Sequence, residues 1–216
     1  SMLLGMIIVT SMNMQKVTAT TNTHTMNVIG APNQSAAAGN NIEMTYSTLA
    51  KKLNVITSVS PITNIVKNVG GEKIELSGLV PEGVNSHTFE LVPSDVVKVN
   101  DADLVIIDGL GLETNVEDVV DEAHNTKPNL QILKLGDNTI TPDQYIYDFS
   151  FPKETGDPNP HLWLNVAYAM KFANLTRDKL MDIDPANADY YGENTDRYIT
   201  RLNDLDQGIM HAVQSV

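Results

Sequence analysis

No cysteine occurs anywhere in the 216 residues. Disulfides, thiolate metal sites, cysteine nucleophiles and lipid anchors attached to a cysteine are therefore excluded within this sequence. Basic residues are scarce as well: 14 Lys and Arg face 27 Asp and Glu, for a net charge of −13 and a pI near 4.6. Nucleic acid needs Lys and Arg to neutralise its phosphates, and anionic lipid needs a basic face, so neither partner fits. Attraction of cations does fit. No apolar run approaches the roughly 20 residues of a membrane span. Enzyme signatures are missing too: there is no His-Glu-x-x-His, no Gly-x-Ser-x-Gly, no Walker loop and no dinucleotide fingerprint. Gly109-Leu110-Gly111 lacks the third glycine of such a fingerprint, and its glycines are expected to serve a tight backbone turn. What is present supports a folded core. Hydrophobic residues make up 42% and charged residues 19%, a globular balance, and the length allows one domain or one and a piece of a second.

The two ends differ from the middle. Ser1 reads as the start of a tagged product or of a fragment of a longer chain. Met2 to Val9 (MLLGMIIV) fits the apolar part of an export signal, with a buried strand or a loose tail as the alternative. From Thr10 to Thr48, 17 of 39 residues are Ser, Thr or Asn, and Lys16 and Glu43 are the only charges. Such a composition cannot bury enough surface to fold alone. Residues 1–48 are therefore expected to be a signal or anchor remnant and a flexible tether, holding a domain on the outer face of a membrane, periplasmic or at the cell surface. At the other end, Tyr191, Tyr198, Leu202, Leu205, Ile209, Ala212 and Val216 form one helical stripe with no Gly or Pro stop. That stripe is expected either to lack a partner and favour self-association, or to pack on its own domain.

Between the ends, strands and helices alternate. Strands are expected at Leu53–Ser60, Lys73–Val80, Asp103–Asp108 and Asn129–Leu135, where β-branched and aliphatic residues cluster. Helices are expected from Ser60 through Val69, over Pro93–Ala102, over about Asn115–Asn125 and beyond His161, with Ser60 as an N-cap ahead of Pro61. Alternation of this kind means an α/β fold with a parallel sheet and flanking helices. In such sheets ligands bind where loops leave the C-terminal strand ends. His87 lies in the loop after the second strand and His161 in the long, Pro-rich stretch after the fourth, so two histidines converge on one edge. Imidazole is a good ligand for zinc and other first-row ions. His24, His124 and His211, and the acids Asp118, Asp121 and Glu122, fall in polar or terminal segments and are expected to be structural or solvated.

Three segments, NSHTFELVPSD (Asn85–Asp95), ADLVIIDGLGLE (Ala102–Glu113) and NPHLWLNV (Asn159–Val166), occur in this order. Together they resemble the zinc/manganese-binding solute receptors of ABC importers, the family that includes the metal-receptor adhesins. DPANADYYGENTDRYITRLNDLDQGI (Asp184–Ile209) is similar to that family's long helix between two lobes, and the resemblance covers about Leu53 to Val216. It implies one lobe of a two-lobe solute-binding protein: an N-terminal α/β lobe over residues 49–183 and a long linking helix over residues 184–216, with the second lobe absent. The implied role is an extracytoplasmic receptor, not an enzyme, that captures zinc or manganese as transported ligand and passes it to an ABC permease in the membrane. Of the four side chains that hold the metal in such receptors, the two from the first lobe map onto His87 and His161. The other two, a His or Glu and an acidic residue, would lie beyond Val216. Asn85 and Glu113 are the candidates to hold the imidazoles through their other ring nitrogens.

The sequence departs from the family's pattern in places. Asn85-Ser86 stand where Asp-Pro usually precedes the first ligand, and Val166 replaces a Pro often found after HLWL. No His-rich acidic loop lies between Glu113 and His161, which leans away from a zinc specialist. Family lipoproteins anchor through a Cys, so an N-terminal segment would have to take over that task here. Two other readings stay open: a surface adhesion module with incidental histidines, and a metal-dependent hydrolase that activates water.

Overall fold

The computed structural model describes residues 51–215. The apolar run, the Ser/Thr/Asn-rich segment with His24, and Val216 lie outside the described residues. Four strands, β1 (Leu53–Thr57), β2 (Ile74–Gly78), β3 (Leu104–Ile107) and β4 (Gln131–Lys134), pair in parallel in the order β2-β1-β3-β4. Leu53 stands opposite Ile74, Val55 opposite Leu104, and Leu104 opposite Gln131. Helices α1 (Ser60–Gly70), α2 (Pro93–Asp101), α3 (Thr114–Thr126), α4 (Val166–Ile183) and α5 (Ala188–Gln214) complete the domain.

Side chains of a strand alternate between faces, and here they feed two cores. Val55, Leu104 and Ile106 join Ile62 and Val66 of α1, Phe172 and Leu180 of α4 and Tyr191 of α5. Ile56, Val105 and Ile107 join Val99 of α2 with Val116 and Val120 of α3. Burial on both faces explains why β3 is an unbroken aliphatic run, LVII, with every residue buried.

The elements fall where the periodicity puts them, and the strands are shorter than their apolar patterns. Ser58 and Val59 stay buried after β1 ends at Thr57, because the chain must already turn into α1. The expected cap at Ser60 is corrected: Ser60 is the first helical residue, and Val59 holds the cap position without a side-chain hydrogen bond. Pro61 has no N–H to satisfy, so the first turn leaves less to cap.

The C-terminal stripe divides at Leu202. Tyr191 and Leu202 are buried and Tyr198 packs against the first core. The Asn194 side-chain amide donates to the Val69 carbonyl at 2.9 Å, tying α5 to α1. Beyond that point Leu205, Ile209, Met210 and Val213 are 46–70% exposed. Among the described residues, no helix is long and apolar enough to cross a membrane.

Candidate metal centre

All four strands aim their C-terminal ends at one edge, and the loops that leave it carry the candidate residues. After β2, the N–H groups of Leu79 and Val80 still reach the carbonyls of Thr57 and Ser58. The chain then becomes exposed. A short 3₁₀ turn, Ser86–Thr88, presents His87. Asn85 caps that turn, its Oδ1 accepting the backbone N–H of His87 at 3.0 Å. Further on, the Asn115 amide of α3 donates to the Phe89 carbonyl at 3.2 Å and ties the loop to the domain.

The loop after β4 runs from residue 135 to residue 165 and brings His161 back to the same edge. Its first residues stay on the sheet, with Leu135 and Gly136 donating to the carbonyls of Ile107 and Asp108. Near its end Pro158 and Pro160 are buried on either side of Asn159. A 3₁₀ turn, Leu162–Leu164, separates His161 from α4, so the histidine precedes the helix by a full turn. Asn165 caps α4 by accepting the Ala167 N–H at 2.9 Å.

The two imidazoles meet, their ring centroids 5.5 Å apart. Phe151 lies 5.9 Å from the His87 ring and 5.5 Å from the His161 ring. Trp163 packs edge-on to His161 at 5.2 Å. An ion held about 2.1 Å from one nitrogen of each ring, with the ring centres roughly 1.1 Å further back, would set the centroids about 5.2 Å apart at a tetrahedral angle. The observed spacing fits one ion shared by both rings. Among the described residues no group of three or more His, Asp or Glu is arranged to hold an ion, so His87 and His161 stand as a pair.

Asn159 holds the His161 ring. Its Oδ1 accepts the ring Nδ1–H at 2.9 Å and the backbone N–H of His161 at 3.0 Å. Its amide nitrogen donates to Asp148 Oδ2 at 2.5 Å. With Nδ1 protonated toward Asn159, the lone pair of His161 is on Nε2. Burial, then the neighbouring His87 charge, push the His161 pKa below the ordinary imidazole value, with Asp148 acting weakly the other way. That direction favours the neutral ring, the form that binds metal. The Asp148 carboxyl is itself held below the usual carboxylate range, chiefly by the Asn159 amide.

Asn85 and Glu113 are placed differently. Asn85 supports His87 through its main chain, as described. Glu113 is buried, and its Oε1 accepts the Asp108 N–H at 2.8 Å. Among the described residues neither side chain bonds a ring nitrogen. Burial raises the Glu113 pKa to about 7, partly offset by Ser58 and by the Asp108 N–H. Asp108, just past β3, is wholly enclosed, with no hydrogen-bond partner for either carboxyl oxygen. Burial first, then Glu113, Asp137 and Glu117, push its pKa up to about 9.

The glycines that follow do turn the backbone tightly: φ is 83° at Gly109, 52° at Leu110 and 75° at Gly111. Of the other histidines, His124 bonds the Leu130 carbonyl through Nδ1 at 2.9 Å and His211 is exposed on α5. Asp118 and Glu122 are exposed on α3, and Asp121 pairs with Lys134 at 3.3 Å.

Comparison with known proteins places this geometry. The family described as ZnuA, zinc-uptake complex component A periplasmic, matches residues 55–216. A metal ABC transporter substrate-binding lipoprotein of Lactococcus lactis subsp. lactis is 35% identical over 161 residues, spanning 73% of this chain and 50% of that protein. The manganese ABC transporter substrate-binding lipoprotein PsaA of Streptococcus pneumoniae is 32% identical over 169 residues, spanning 76% and 53% respectively. The Mn-bound periplasmic metal binding protein of Candidatus Liberibacter asiaticus superposes with a TM-score of 0.65 at 26% identity, covering 77% of this chain and 58% of that one. The chain thus spans about half the length of the curated relatives it matches. With three quarters of its residues matched and a parallel sheet of the same architecture, the chain belongs to the family of the periplasmic zinc-uptake complex component A.

Proposed function

We propose that this chain captures a divalent transition metal, zinc or manganese, as cargo for an ABC importer and performs no chemistry on it. The observation that carries the reading is the His87–His161 pair, 5.5 Å apart at the C-terminal edge of a parallel sheet, with His161 held as a neutral Nε2 donor. Nitrogen ligands of this kind suit first-row divalent ions. The relatives add support, being substrate-binding lipoproteins of metal or manganese ABC transporters by name, and on this reading the chain works outside the cytoplasm beside a membrane permease. Two imidazoles fill half of a four-coordinate site, so the described residues by themselves are expected to hold the ion weakly, with water in the other positions. The exposed face of α5, with Leu205, Ile209, Met210 and Val213, favours association with a second copy.

Calorimetric titration of the metal-stripped chain with Zn²⁺ and Mn²⁺ tests the reading. Micromolar or weaker binding that disappears in both His87→Ala and His161→Ala is expected. Binding indifferent to both substitutions would remove the histidines from the site and return the adhesion reading.

A further inference from the structure

We infer that Asp148, which hydrogen-bonds neither imidazole, decides which nitrogen of His161 is offered to an ion. Its importance for cargo rests on the metal-capture reading above, whereas its geometry does not. The Asp148 carboxylate accepts from three donors. Its Oδ1 takes the backbone N–H groups of Ser150 at 2.8 Å and Phe151 at 3.0 Å. Its Oδ2 takes the Asn159 amide at 2.5 Å. The Asp148 N–H in turn donates to the Phe151 carbonyl at 3.0 Å, closing a turn over residues 148–151.

An ionised carboxylate is an acceptor only. The amide of Asn159 must therefore present its NH₂ group to Asp148 and its oxygen to the opposite side. That oxygen meets two N–H groups of His161, from the main chain and from the ring. A flipped amide would set oxygen against carboxylate on one side and NH₂ against N–H on the other, so it is excluded on both. The order carboxylate, amide, imidazole thus allows one tautomer, Nδ1–H, and leaves the lone pair on Nε2. The main chain fixes the same register, because the Asn159 N–H donates to the Ile146 carbonyl at 2.7 Å. The turn that Asp148 closes also places Phe151 against both histidine rings. Asp148 is thus a positioning residue that acts through Asn159.

A purely structural role in the turn would leave the His161 tautomer untouched, and this separates the two possibilities. The measurement is a long-range ¹H–¹⁵N spectrum of the metal-free 216-residue chain at about pH 7.5, where neutral imidazole dominates. The parent is expected to show His161 as Nδ1–H. In Asp148→Ala and in Asn159→Ala, His161 is expected to move toward Nε2–H. Zn²⁺ affinity is expected to fall about tenfold to a hundredfold in both variants. A His161 that keeps Nδ1–H in Asp148→Ala overturns the inference. If Asp148→Ala fails to fold, Asp148→Asn decides, since its amide oxygen can still accept the Ser150 and Phe151 N–H groups while its NH₂ replaces the acceptor that faces the Asn159 amide. A parent chain that binds neither Zn²⁺ nor Mn²⁺ refutes the metal-capture reading, and the tautomer spectrum, recorded without metal, then still decides the role of Asp148.

Discussion

Replacing Asp108 with Asn should stabilise the protein, and by more as the pH rises. The side chain is fully buried at the end of β3 and neither oxygen has a hydrogen-bond partner. Its pKa climbs from 3.8 to about 9, through burial first and then through Glu113, Asp137 and Glu117. A carboxyl whose folded pKa is raised favours the folded state most below its unfolded pKa, and that advantage is lost as the pH climbs toward the folded value. Between about pH 4 and pH 9 the native state holds a proton that the unfolded chain has released. Each pH unit in that window costs about 1.4 kcal/mol, so by pH 7 the burial costs at most about 4 kcal/mol. Asparagine has nearly the same shape and carries no charge at any pH in that window. Urea unfolding followed by far-UV circular dichroism at several pH values between 4 and 8 measures the difference. The variant and the parent should coincide near pH 4 and diverge steadily above it, with the variant the more stable. A difference that does not grow with pH, or a variant less stable at pH 7, would refute the assignment of a buried, proton-holding Asp108.

Two further perturbations address the loop beside the site and the outer half of α5. Gly109→Ala should destabilise by about 2–4 kcal/mol: φ is 83°, and the new Cβ would stand 1.9 Å from Asp137 Oδ2, the atom that accepts the Leu110 N–H. A loss below about 0.5 kcal/mol in urea unfolding would contradict the left-handed geometry of this turn. Ile209→Asp places a charge in the exposed stripe and should abolish concentration-dependent association in sedimentation velocity without loss of helix signal. A parent that stays monomeric at every concentration would remove the proposed self-association.

Much of the fold was legible because its signals are local and periodic. Aliphatic β-branched runs marked β1 and β3, Ser60-Pro61 marked the start of α1, and gaps of three and four residues traced α5. Alternation of the two element types then allowed few topologies besides a parallel sheet. The ends of the strands were less legible, since apolar residues such as Val59 and Val80 stay buried after the ladder stops. Burial, not pairing, keeps such residues apolar, so hydrophobicity overruns the hydrogen-bonded strand. The loop from residue 135 to residue 165 has no period at all. Its path is set by carboxylate and amide side chains bonding main-chain N–H groups, which composition reports only as acidic and Pro-rich.

The same distinction explains the site. Placing His87 and His161 at one edge required only strand order and the rule that parallel strands deliver their loops to their C-terminal ends. Finding the group that holds His161 required the side-chain geometry. Asn159 did carry a local signal, because an Asn two residues before a backbone N–H is well suited to accept from it, as it does here. Asp148 sits eleven residues upstream of that Asn, and no spacing rule links the two. Glu113 shows the converse. It follows a strand end where the Asp108 N–H has left the ladder, and a buried main-chain N–H must find an acceptor. The side chain turns inward to supply one, so a residue expected to serve an imidazole serves the backbone. Asp148 divides the work: one oxygen meets the main-chain N–H groups of Ser150 and Phe151, and the other is left to hold the Asn159 amide that orients the ring.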